Sequence, residues 1–272
     1  MDSNPLFWPS AIALAAGLAG VVIARIFPSF PRLRAALAAF VFVAAESAVY
    51  AKFFPWPRAA TDKLFYAGLF GVLSPFLPGT SAPAGALWAL LPMLWVAAPH
   101  LGSRGALPDL ALIGGGCLLL FRFAACAASL RPGSGALAWA VALALLGGSA
   151  PIALAGGSAS SLLLLLALVV GYTPWALAEF LVPLPPHPGL AAIWSGPLTL
   201  AAILFFITGA EDGIFLIVLF LLVLAVGEGA LHLLARSDAP RRVVLASGVL
   251  FFLLVLGVVG VLYLSMPEAF AT

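Results

Sequence analysis

Residues 64–103 contain no Asp, Glu, Lys or Arg, a run of 40, and residues 132–178 form a second such run of 47. As a single helix the first would stretch about 60 Å, twice the roughly 30 Å hydrocarbon thickness of a bilayer. It therefore has to fold back on itself. No soluble core could hide so much apolar surface either: 64% of the 272 residues are hydrophobic and 8% charged, against roughly 25% charged in ordinary soluble domains. Lipid is the expected solvent and partner for most of the chain. A backbone in hydrocarbon must satisfy its own hydrogen bonds, and these runs lack the polar/apolar alternation of a transmembrane barrel, so the expected fold is all-α.

Cutting the apolar runs at about 20 residues each, and at their Pro/Gly breaks, yields ten segments. They cover 9–27, 33–54, 64–78, 84–101, 108–130, 135–155, 160–182, 190–210, 213–235 and 243–266. The third is short, ending in the break that begins at Ser74 and Pro75, and with some fifteen residues it either crosses or re-enters. The expectation is a polytopic transmembrane helix bundle of 8 to 10 crossings in one integral membrane domain, 1–272. Pro174 lies inside the seventh segment, where it removes a backbone donor and should kink the helix. The N-terminal eight residues carry no Lys or Arg and the first apolar run ends at Arg25, which points to a retained first span over a cleaved signal peptide.

Basic residues set orientation. With ten crossings, one side holds Arg25, Arg32, Arg34, Arg131, Arg236, Arg241 and Arg242, and the other Lys52, Arg58, Lys63 and Arg104. Seven against four places both termini outside, in what is expected to be a bacterial inner (plasma) membrane. The net charge of +2 is spread over short loops, with no basic stripe for nucleic acid. Cys117 and Cys126 have neither a metal-ligand spacing nor a C-x-x-C motif, and the three histidines are not paired within spans as haem ligands would be. No cofactor and no metal is expected.

An ionisable group at membrane depth costs a few kcal/mol and needs a partner, water or a route to the interface. Five such residues are candidates for substrate or proton coupling: Glu46, Arg122, Glu179, Glu228 and His232. Glu228, His232 and Arg236 recur every four residues and form one helical ridge. Arg122 and Glu228 lie 14 and 15 residues from the starts of their segments, about 21 and 22 Å down the axis, so equal depth permits an ion pair. A static clamp, or snorkelling of Arg122, explains the same residues without chemistry. Glu179 falls next to the proline-rich stretch after the seventh segment, where headgroups and water would solvate it. Glu46 is the acid least expected to face lipid.

A five-and-five division, 1–131 and 132–272, would give inverted halves with Glu46 and Glu179 in the second segment of each. The function expected from this outline is a small multi-pass transporter or permease for a small solute or ion, not an enzyme. The rivals are a non-catalytic membrane subunit packed against other membrane subunits, and an intramembrane enzyme acting on a lipid-linked substrate.

Overall fold

A computed structural model of the chain describes residues 7–50, 60–77, 91, 95, 139, 143, 146 and 159–182. Every regular element among them is helical: α1 (Phe7–Ile26), α2 (Pro31–Tyr50), α3 (Ala60–Leu73) continued by a 3₁₀ turn (Ser74–Phe76), and α4 (Ala159–Leu181). Three helices, Phe7–Ile26, Arg32–Tyr50 and Ala159–Leu181, are long and apolar enough to cross a membrane. The chain is therefore an integral membrane protein of helical type.

α2 is the spine. It packs against α1, α3 and α4, and a nearly continuous series of small or apolar residues, Ala35, Ala38, Val41, Phe42 and Ala45 among them, is buried around it. Neighbouring residues fix its direction. Gly20 lies against Leu37, Gly171 against Val41, and Gly68 against Phe42 and Val43, so α2 runs antiparallel to the helices around it. Its start follows from local chemistry: Pro28 and Pro31 bracket a four-residue turn, and Pro31 occupies a first helical position, where its missing N–H costs nothing. The Arg34 amide then donates to the Phe30 carbonyl at 3.2 Å.

α1 buries only one narrow stripe, Pro9, Ala13, Gly17, Gly20 and Ala24, at the three-to-four spacing of one helix face. Its remaining face, with Trp8, Leu18, Val22 and Ile26, is exposed. The stripe consists of small residues because it meets α4 backbone to backbone. A Cβ on Gly17 would overlap the Gly171 carbonyl oxygen, and one on Gly171 would lie 2.9 Å from the Ala13 carbonyl oxygen and 2.6 Å from Val41 Cγ1. Without a hydrophobic drive between helices in lipid, such close approach is what earns dispersion energy. α1 and α4 run parallel, since Ala13 meets Gly171, Gly20 meets Trp175 and Arg25 meets Ala178.

α3 begins at Ala60, four residues earlier than the charge-free run. Asp62 in its first turn suits the positive end of the helix dipole, and so the helix extends through a charged stretch that hydropathy alone would exclude. It ends at Leu73, two residues before Pro75, and tightens into the 3₁₀ turn. α4 runs unbroken through Pro174, with the Thr173 hydroxyl donating to the Val169 carbonyl at 2.7 Å.

Candidate functional site

Three charged side chains meet where α1 ends, α2 begins and α4 ends. A helix C-terminus leaves carbonyls without intrahelical partners and carries partial negative charge. Arg25, in the last turn of α1, reaches the end of α4: its Nη2 donates to the Val182 carbonyl at 2.5 Å, and to the Ala178 carbonyl at 2.7 Å, which also accepts from the Val182 amide at 3.0 Å. Arg34 and Glu179 are buried beside it, at 3% and 8% exposure. Their opposite charges act on each other across the α2–α4 interface, and Arg25 is a like-charged neighbour of Arg34. Headgroup solvation, the expectation for Glu179, is thus replaced by burial against an arginine. The reason is that the parallel α1 and the start of α2 bring Arg25 and Arg34 to the same membrane face as the end of α4.

A second cluster lies at the other end of α2. Glu46 is 2% exposed, one turn before Tyr50 at the end of α2, closer to that end than a span of 33–54 implies. Asp62, at the start of α3, is the charged group that acts on it, a like charge across the α2–α3 interface. Lys63 turns elsewhere: its Nζ donates to the Trp95 carbonyl at 3.1 Å and sits 5.6 Å from the Trp95 ring centroid. Tyr50, one turn beyond Glu46 on the same face, has a buried hydroxyl with no hydrogen-bond partner among the described residues.

Between the two clusters lies an aromatic group. Tyr172 and Trp175, three residues apart on one face of α4, are 1% and 2% exposed. Trp139 lies against both, its ring centroid 5.4 Å from Tyr172 at 35° and 5.9 Å from Trp175 at 24°. Trp139, Leu143 and Leu146 are each helical, and Trp139 and Leu146 are buried. The Tyr172 hydroxyl and the Trp175 Nε1 are both buried with no hydrogen-bond partner among the described residues. A buried donor left unmade costs about 1–3 kcal/mol, and buried Tyr and Trp ordinarily find a partner for their polar tips. Pro174 between them has no N–H to return to the Val170 carbonyl, so a backbone acceptor is released at the same level.

Of the five residues expected to carry function, Glu46 and Glu179 are described and both are buried, in separate clusters at opposite ends of α2. Arg122, Glu228 and His232 lie outside the described residues. Sequence reasoning overlooked Arg25 and Arg34 as partners, treating them only as markers of orientation, although the shared parity of the first and seventh segments already puts them level with Glu179. It also overlooked Tyr172, Trp175 and Trp139. Their signal was position: rings with polar tips favour the membrane interface, and these sit within the span. No group of three metal-ligating side chains occurs among the described residues. No protein-family model, curated protein or solved structure matches the chain.

Proposed function

We propose that the protein is a small multi-pass transporter of the bacterial inner membrane, moving a small solute by alternating access with Glu46 as the proton-carrying group. The observation that carries this reading is the setting of Glu46. It is buried inside a span, and the charged neighbour acting on it is a second carboxyl, Asp62. A clamp puts a cation opposite a buried acid, which is the arrangement of Arg34 and Glu179. Two acids of like charge suit a different task, because one of them can hold a proton and release it when the surroundings change. Lys63 could quench that role, but it is held by Trp95.

The parallel course of α1 and α4 supports the crossing count. Two parallel spans have an odd number of crossings between them, and segments two to six would provide five. Glu46 and Glu179 then occupy matching segments of a five-and-five pair of inverted halves, with Arg122, Glu228 and His232 as further coupling candidates in the remainder of the bundle. Purified protein reconstituted into liposomes containing a pH-sensitive dye tests the proposal. Under an imposed pH gradient, some member of a panel of small solutes should evoke proton movement, and Glu46→Gln should lose it while inserting at wild-type yield. Flux preserved in Glu46→Gln would remove the proposed carrier, and a panel that evokes nothing would count against transport itself.

A further inference from the structure

Tyr172 and Trp175 occupy the middle of α4: Tyr172 is 13 residues after Ala159 and 9 before Leu181, roughly 20 and 14 Å from the two ends. Solute sites in transporters lie near the bilayer midplane, and Pro174, between these two side chains, leaves the Val170 carbonyl without its helical donor at that depth while α4 continues through it. Both donate hydrogen bonds, both are nine-tenths or more buried, and neither tip is partnered among the described residues. Trp139 stacks on the Trp175 ring and lies tilted against Tyr172.

We propose that Tyr172 and Trp175, backed by Trp139, form a two-donor recognition site for an uncharged solute that presents an accepting oxygen on a flat apolar body. The donor tips are at the ring edges, so the oxygen sits at the margin of the stack and the flat body extends it. The solute is uncharged because the described residues around the site have no free counter-charge to offer. Glu179, one turn beyond Trp175, is already opposed by Arg34, and an anion drawn to two neutral donors at this depth would leave its charge unpaired, at a cost those donors do not repay. A cation would find the Tyr172 oxygen as the one acceptor at these tips, with the ring faces turned against one another and not toward a ligand. A few placed polar groups in an apolar, aromatic wall are also the ordinary composition of a small-molecule site. The inference names the solute class for the transport reading, on which it rests, but it is read without any flux.

The accepting oxygen could belong to a solute or to water, and an isosteric pair of probes separates them. Acetophenone carries a carbonyl acceptor and no donor; α-methylstyrene has the same shape with a methylene in place of the oxygen. Equilibrium dialysis of each against protein in nanodiscs, corrected with empty nanodiscs, measures saturable binding. Two ordinary hydrogen bonds should favour the ketone by about 25-fold, and losing one should cost about fivefold. Tyr172→Phe and Trp175→Phe should each lower that preference about fivefold and leave the affinity for the hydrocarbon unchanged. Tyr172→Phe removes a single hydroxyl and keeps the stack, so it decides the matter even if Trp175→Phe does not fold. Equal affinity for the two probes, no saturable ketone binding, or a preference unmoved in Tyr172→Phe would overturn the proposal and assign the donors to water. Intact ketone preference in a protein that moves no solute would keep this site and sink the transport reading alone.

Discussion

At the scale of single residues, the tightest glycine contact among the described residues is at Gly17. The atom its Cβ would meet is the Gly171 carbonyl oxygen, which is backbone and cannot swing aside, so a methyl group there has to separate α1 from α4. Gly17→Ala should therefore destabilise the fold by about 1–3 kcal/mol, the usual range for an overpacked core. Leu18, the next residue, is 51% exposed on the outer face of α1, and Leu18→Ala should leave stability within about 0.5 kcal/mol of wild type. Reversible unfolding in mixed micelles measures both, and equal effects at the two positions would mean that α1 does not dock through its small-residue stripe. Gly20 is a milder case, since its Cβ would meet the edge of the Trp175 ring at 2.9 Å.

At the scale of elements, α1, α2 and α4 are tied at one membrane face by charge and not only by small residues. Glu179→Gln would leave Arg34 buried beside Arg25 with the opposing charge gone. Breaking a fully interior ion pair costs about 3–5 kcal/mol. This one lies at helix ends, where water and headgroups offset part of the loss, so about 1–3 kcal/mol is expected from the same unfolding measurement. Arg34→Met together with Glu179→Met should recover most of it, because the pair contributes mainly by leaving neither charge alone. Recovery that fails to appear would mean that Glu179 is held by something other than its arginine neighbour. How much of this was legible beforehand differs by element. α1 and α4 fall within about two residues of the segments cut from hydropathy, because bilayer thickness and the flanking prolines set helix length from the chain itself. α3 starts four residues before the segment 64–78, because that segment begins at the charge-free run and so leaves Asp62 and Lys63 outside it. The Arg34 and Glu179 pairing was legible only as a shared membrane face, since which helices touch depends on the close approach at Gly17 and Gly171, and no local pattern encodes that partner. Glu46 is legible as a buried acid; the influence of Asp62 on it is not, because that depends on how α2 and α3 pack.

At the scale of the whole molecule, the described helices make a checkable topology. α1 and α4 are parallel and α2 is antiparallel to both, so the turn at Ser29 and the end of α4 at Val182 emerge on one side, with Phe7 on the other. Arg25, Arg32 and Arg34 all cluster at the Ser29 side, so the basic-residue rule predicts that side to be cytoplasmic. In a background with Cys117 and Cys126 replaced by serine, Ser29→Cys and Val182→Cys should both resist a membrane-impermeant maleimide in intact cells and react after permeabilisation. Phe7→Cys should react in intact cells. The short third segment is decided by the same experiment. α3 and its 3₁₀ turn run antiparallel to α2 over 14 and 3 residues, about 27 Å in all, which nearly matches the hydrocarbon thickness. If that pair of elements crosses, Phe76→Cys, exposed at its far end, joins Ser29→Cys in requiring permeabilisation. Should Phe76→Cys react in intact cells while Ser29→Cys does not, the segment re-enters, the number of crossings before α4 changes parity, and the parallel alignment of α1 with α4 would need a second re-entrant stretch to restore it. Labelling of Ser29→Cys and Val182→Cys from opposite sides would be the heavier blow, because Arg25 could not then reach the α4 carbonyls and the charged face that gathers three helices would not exist.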